Sequence, residues 1–78
     1  MLTIEKAGRR FQVNLAGNRL DSFERRREAQ HMLNEMAPYE DKMLRLWEVQ
    51  RAGKVNAEWR SLTVEINAAY LQAQRTMP

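Results

Sequence analysis

Residues 2–15 read LTIEKAGRRFQVNL, and the alternation within this segment distinguishes an α+β fold from an all-helical one. Its apolar residues recur with a period of two on either side of a glycine: Leu2, Ile4, Phe11, Val13 and Leu15. This period is typical of strands with one buried face, and Ala7-Gly8 offers a permissive backbone for a reversal. The segment predicts an N-terminal β-hairpin, and the alternative is a helical bundle preceded by an extended arm.

Three helices are predicted beyond the hairpin, after a connector formed by Ala16-Gly17-Asn18. They run over residues 21–36, 38–52 and 56–74. Asp21 and Glu24 have the spacing of a capping box at the start of the first helix. Pro38 suits the first turn of a second helix, and Asn56 is a favourable N-cap for the third. Since only a short linker joins helices two and three, we expect them to pack as an antiparallel helical hairpin.

The predicted fold is therefore α+β and mainly helical, with a β-hairpin followed by three helices. At 78 residues the chain has room for one domain, in which residues 1–17 form the hairpin and connector and residues 19–78 form the helical part. The absence of cysteine excludes a disulfide and a cysteine-based zinc site. Because so short a chain buries limited surface, we expect a protein partner or self-association to supplement its stability.

The third helix carries apolar residues on two opposite sides. One side holds Trp59 and Tyr70, which we expect in the core, so that Trp59→Ala should cost about 3–5 kcal/mol of stability. The other side carries a second apolar strip: Ala57, Val64, Ala68 and Leu71. Either the first helix and the hairpin cover this strip, or it faces another molecule.

Enzymatic chemistry has few candidate residues in this sequence. The chain has no cysteine nucleophile and a single histidine, and it lacks a glycine-rich phosphate-binding loop. Glu28-x-x-His31 with Glu35 has the spacing of half a di-iron carboxylate site, but no second Glu-x-x-His completes it. The alternative is that His31 is a solvated residue paired with Glu28 and Glu35 on the helix surface. We therefore expect no catalytic residue, no metal site and no cofactor.

Positive charge is concentrated in the N-terminal third. The net charge of the chain is +3, whereas residues 1–27 alone carry +4. Arg25 and Arg26 lie in or beside the apolar sector of the predicted first helix, and Phe23 points away from that sector. Exposed aromatic and arginine side chains are enriched at binding hot spots. The candidate partner-binding residues are Arg9, Arg10, Phe23, Arg25, Arg26, Val64 and Leu71.

The sequence favours a non-enzymatic protein–protein interaction protein, such as a small adaptor, an assembly factor or an inhibitor. The preference for arginine over lysine is common in GC-rich bacterial and phage genomes, and it is compatible with a phage-encoded protein. The alternative function is nucleic-acid binding through the N-terminal arginines. No segment has the length and hydropathy of a membrane span or the plan of a signal peptide, so we expect a cytoplasmic protein.

Overall fold

The computed structural model describes residues 1–78 and contains an N-terminal antiparallel sheet followed by helices. The strands are β1 (Leu2–Ala7), β2 (Arg10–Leu15) and β3 (Asn18–Phe23), and the helices are α1 (Arg26–Met36), α2 (Glu40–Arg51) and α3 (Ala57–Arg75). The order in the sheet is β1-β2-β3, so β2 is the central strand. The prediction of a mainly helical α+β chain with its strands at the N-terminus is confirmed.

Both turns of the sheet contain two residues and use positive φ angles. Gly8 has a φ of 62° in the β1–β2 turn, and Ala16 and Gly17 have φ of 50° and 80° in the β2–β3 turn. These signs match a type II′ turn and a type I′ turn, whose twist suits antiparallel strands. The hairpin predicted over residues 2–15 is confirmed, although its turn lies at Gly8-Arg9, one residue later than predicted.

Residues 18–23 form a third strand, where the sequence predicted a connector and the start of the first helix. α1 begins at Arg26, and the cap interaction uses Glu28, whose Oε1 accepts the backbone N–H of Arg25 at 3.1 Å. The capping box predicted at Asp21 is therefore wrong. The β part of the chain extends to residue 23 instead of residue 17, and the helical part is shorter than predicted.

A β-bulge in β3 directs two successive side chains at the helices. The pairing with β2 shifts by one residue between Val13 and Asn14, which leaves Leu20 as the extra residue. Leu20 packs against the core, and the adjacent Asp21 accepts a hydrogen bond from the hydroxyl of Tyr70 in α3. Burial, followed by the hydrogen bond to Asp21, raises the pKa of Tyr70 to about 12. Tyr70 therefore remains a neutral donor that ties α3 to the sheet.

A 3-10 turn over Ala37–Tyr39 joins α1 directly to α2. Pro38 lies in the first turn of this segment, and Glu40, which follows the segment, keeps right-handed helical backbone angles. The proline therefore changes the hydrogen-bond pattern without opening a loop. α1, the 3-10 turn and α2 follow one another without a loop and form one continuous helical stretch over residues 26–51, and α3 forms a second over residues 57–75. The prediction of three separate helices is therefore wrong.

α2 and α3 pack against each other and are joined by ion pairs. Arg45 donates to both carboxylate oxygens of Glu58, at 2.9 and 3.1 Å, and Lys42 pairs with Glu65. Because the earlier cation of α2 reaches the later carboxylate of α3, the two helices run antiparallel. The hydrogen bonds from Arg45 hold the pKa of Glu58 below its usual value.

The core lies between the sheet and α1. Its central cluster contains eight of the nine buried residues: Leu2, Val13, Leu15, Ala29, Met32, Met36, Met43 and Ala73. α1 contacts all three strands on one side and α3 on another, so it is the central element of the fold. The cluster therefore depends on β2 and α1 more than on the helical hairpin of α2 and α3.

Trp59 has a smaller part in the core than the sequence predicted. Its side chain is half-buried and does not belong to the central cluster, whereas Trp47 and Tyr70 pack against the edge of that cluster. The indole Nε1 of Trp59 is buried without a hydrogen-bond partner, and this arrangement costs free energy. The expectation that Trp59→Ala costs about 3–5 kcal/mol is therefore revised downward.

The β2–β3 turn gives a first testable prediction. Ala16 holds a φ of 50°, in the left-handed region that alanine adopts at a cost of about 1–2 kcal/mol. Ala16→Asn is expected to raise the free energy of unfolding by about 1 kcal/mol, because asparagine tolerates this region. Urea denaturation measures the change. Gly17→Ala is the matched control. A Cβ at this position meets no atom within 4 Å, but alanine is strained at a φ of 80°, so this variant should be less stable than the wild type. An unchanged or lower midpoint for Ala16→Asn would contradict the turn assignment.

Candidate interaction surfaces

The Glu28-x-x-His31 pair has a structural role. Glu28 caps the N-terminus of α1, as described above. His31 Nε2 lies 3.0 Å from the backbone oxygen of Ala73 and 2.9 Å from Oγ1 of Thr76, so the imidazole contacts the C-terminal end of α3. Its side chain keeps the predicted pairing with Glu35, at 4.0 Å, but it is only 20% exposed, so the prediction of a solvated histidine is wrong. The structure contains no group of three or more residues that could hold a metal ion.

The N-terminal arginines gather at one end of the sheet. Arg9 lies in the β1–β2 turn and Arg10 begins β2, while Arg25 follows β3 and Arg26 begins α1. Since Phe11 pairs with Phe23, the start of β2 lies beside the end of β3. We call the resulting surface the arginine end; it consists of Arg9, Arg10, Arg25, Arg26 and Arg27, all exposed.

No member of the arginine end forms an ion pair. The ion pairs of the chain involve the N-terminus, His31, Lys42 and Arg45 only. Arg10 donates to Oγ and the backbone oxygen of Ser22, at 3.0 and 2.9 Å, and both of these acceptors are neutral. The carboxylate of Glu28, which could have paired with an arginine, accepts the backbone N–H of Arg25 instead. The positive charge of the arginine end is therefore not neutralised within the chain.

Two candidate residues lie elsewhere than the sequence predicted. Arg25 is the N-cap of α1 and is exposed, so it does not lie in the apolar sector of a helix. Phe23 is half-buried, pairs with Phe11 across the sheet and packs against the central cluster. Phe23 is therefore a core-edge residue and does not add an exposed aromatic side chain to the arginine end.

The second apolar strip of α3 is uncovered. Val64 is 70% exposed and Leu71 is 50% exposed, and the alanines of the strip, Ala57 and Ala68, are exposed as well. α1 and α2 pack on the opposite side of α3, where Ala73 is fully buried. We call the uncovered side the outer face of α3; it consists of Ala57, Ser61, Val64, Ala68, Leu71 and Arg75.

A cavity of 180 Å³ lies where β3 and the three helices meet. Eight of its nine lining residues are apolar: Leu20, Met32, Met36, Met43, Leu46, Trp47, Ile66, Asn67 and Tyr70. A shallow polar groove of 460 Å³ adjoins it, lined by Asn18, Arg19, Leu20, Trp47, Gln50 and Arg51. Nothing in the sequence pattern indicates that these four elements leave a space between them.

Comparison with protein-family models, with curated proteins and with solved structures gave no match. No helix combines the length and the apolar character that crossing a bilayer requires. Three surfaces of the chain are candidates for a function: the arginine end, the outer face of α3, and the cavity with its polar groove.

Proposed function

We propose that this chain is a non-enzymatic protein–protein interaction protein that binds through the outer face of α3. The observation that carries the proposal is the exposure of Val64 and Leu71, at 70% and 50%, on a helix whose other side is packed. Exposed apolar side chains that line up along one helix face are typical of helix–helix interfaces.

The spacing of the outer face favours a second helix as the binding partner. Its residues follow one another at intervals of four, three, four, three and four: Ala57, Ser61, Val64, Ala68, Leu71 and Arg75. This is the heptad spacing of a two-helix seam, in which each side chain packs between those of the facing helix. The small residues Ala57, Ser61 and Ala68 leave room for the close approach of a partner helix.

We infer that the partner helix is α3 of a second copy of the chain, in antiparallel orientation. A two-fold axis that crosses the outer face between Val64 and Ala68 places Val64 opposite Ala68 of the second copy, and Leu71 opposite Ser61 of the second copy. Each large side chain then faces a small one, which fills the seam without a clash. The same register brings Arg75 to the helix start that contains Glu58, whereas a parallel pair would place like charges together.

The association is expected to be weak, because one pair of helices forms the whole interface. At about 1.5 Å of rise per residue, a helix of 19 residues offers a seam of about 28 Å. Such a contact falls at or below the size of about 1,200 Å² that characterises stable interfaces. A self-association constant in the micromolar range is the expected result.

Val64→Glu and Leu71→Glu are each expected to abolish self-association, because each places a carboxylate in the apolar seam. Sedimentation equilibrium over a concentration series measures the monomer fraction, and circular dichroism checks that the helices remain. Leu44→Glu is the matched control, since Leu44 is an exposed apolar residue of α2. A wild-type chain that stays monomeric throughout the series, or variants that associate as well as the control, would refute the proposal.

A second candidate function is nucleic-acid binding at the arginine end. It is favoured by one observation, namely that five clustered and exposed arginines have no carboxylate partner. An uncompensated group of arginines attracts a phosphate backbone irrespective of its sequence. The arginine end and the outer face of α3 share no residue, so each function can be tested separately.

A further inference from the structure

The 180 Å³ cavity is matched in size to one large apolar side chain. An apolar cavity of about 150 Å³ accommodates a benzene molecule, whereas sites for cofactors and metabolites usually measure about 300–1,000 Å³. Three methionines, Met32, Met36 and Met43, line the cavity, and their flexible thioether chains adapt to guests of different shape. The cavity therefore suits an aliphatic or aromatic side chain better than a cofactor or a lipid chain.

The groove beside the cavity carries positive charge. Leu20 and Trp47 line both spaces, so the groove lies directly beside the cavity. Arg19 and Arg51 line the groove, are exposed, and have no carboxylate partner in the chain. By contrast, Arg45 of α2 is held by Glu58. The groove beside the cavity therefore carries two arginines whose charge no carboxylate of the chain neutralises.

We propose that the cavity and the groove form a binding site for an acidic segment of another protein. The segment inserts one large apolar side chain, leucine or phenylalanine, between α1, α2 and α3, and its flanking carboxylates pair with Arg19 and Arg51. Binding of this kind joins a buried apolar anchor to charge-assisted hydrogen bonds at the rim. The proposal does not rest on self-association, because the outer face of α3 lies on a different side of that helix.

Trp47 provides a direct probe, since its indole lines both the cavity and the groove. In a Trp59→Phe background Trp47 is the only tryptophan, and its emission reports occupancy of the site. The probe ligands are three capped pentapeptides: one phenylalanine flanked on each side by two glutamates, the same peptide with alanine at the centre, and the same peptide with lysines as flanks. The first peptide is expected to shift the emission of Trp47 and to bind at least about tenfold more tightly than the other two.

Charge reversal at the rim tests the role of the arginines. Arg19→Glu and Arg51→Glu are each expected to weaken binding of the phenylalanine peptide at least about tenfold. Arg60→Glu, which changes an exposed arginine of α3 outside the groove, should leave the affinity unchanged. All three positions are exposed, and circular dichroism confirms the fold of each variant.

Three results would overturn the proposal. The first is equal affinity for the phenylalanine and alanine peptides, which would show that no large side chain of the peptide occupies the cavity. The second is unchanged binding by the Arg19→Glu and Arg51→Glu variants. The third is displacement of the peptide by a single-stranded oligonucleotide at comparable charge concentration, because the groove would then bind polyanions in general.

Discussion

Leu15→Ala is expected to lower the free energy of unfolding by about 2–5 kcal/mol, the largest effect on stability of any substitution considered for this chain. Leu15 is fully buried in the central strand, where it belongs to the cluster shared by the sheet and α1. The substitution removes apolar contact and leaves a space that the sheet cannot close, because β2 is paired on both sides. In a domain of this size, whose total stability is at the low end of about 5–15 kcal/mol, the variant should be substantially unfolded at physiological temperature.

Trp59→Ala is the control that separates this core from the one the sequence predicted. Trp59 is half-buried, lies outside the central cluster and buries an unsatisfied indole N–H, so its loss should cost less than half as much as the loss of Leu15. Urea denaturation followed by far-ultraviolet circular dichroism measures both variants without depending on tryptophan emission. If Trp59→Ala proved as destabilising as Leu15→Ala, the core would lie in the helical hairpin and not between the sheet and α1.

The hairpin was predictable because period-two alternation runs through both of its strands. The third strand was not, and the bulge is the reason. Inserting Leu20 as an extra residue puts Leu20 and Phe23 three positions apart, which is a helical spacing. Asp21 and Glu24 then completed the resemblance to a helix start. The sequence pattern could not show that Asp21 meets Tyr70, since that contact spans 49 positions of the chain.

The candidate surfaces were predictable to different degrees. Helical periodicity showed that α3 has two apolar sides, but whether the second is covered depends on where α1 packs, and α1 lies against the sheet. Nor could charge counting show whether an arginine is paired. Glu28 lies within reach of two arginines in sequence, yet it caps the backbone of α1. The cavity was beyond prediction, because its volume depends on how closely four elements approach one another.

Nucleic-acid binding at the arginine end, the second candidate function, predicts a steep dependence on salt. With about five arginines each neutralising one phosphate, the affinity for random-sequence DNA or RNA should fall by about 10²- to 10³-fold between about 50 mM and about 200 mM salt. Fluorescence anisotropy with labelled duplex and single-stranded oligonucleotides at several salt concentrations measures this slope. Leu71→Glu should bind nucleic acid as the wild type does, because Leu71 lies on the outer face of α3.

Single substitutions within the arginine end distinguish a phosphate contact from a protein contact. All five arginines are exposed and unpaired, so each change to alanine should weaken nucleic-acid binding comparably and lower the salt slope by about one. A protein partner would instead depend on one or two arginines and leave the others nearly neutral. Arg60→Ala, outside the arginine end, serves as the control and should change neither affinity nor slope. The absence of binding at low salt would exclude nucleic acid as the anion and would leave a carboxylate-rich protein surface as the remaining candidate for a partner of the arginine end, which no carboxylate of the chain itself pairs with.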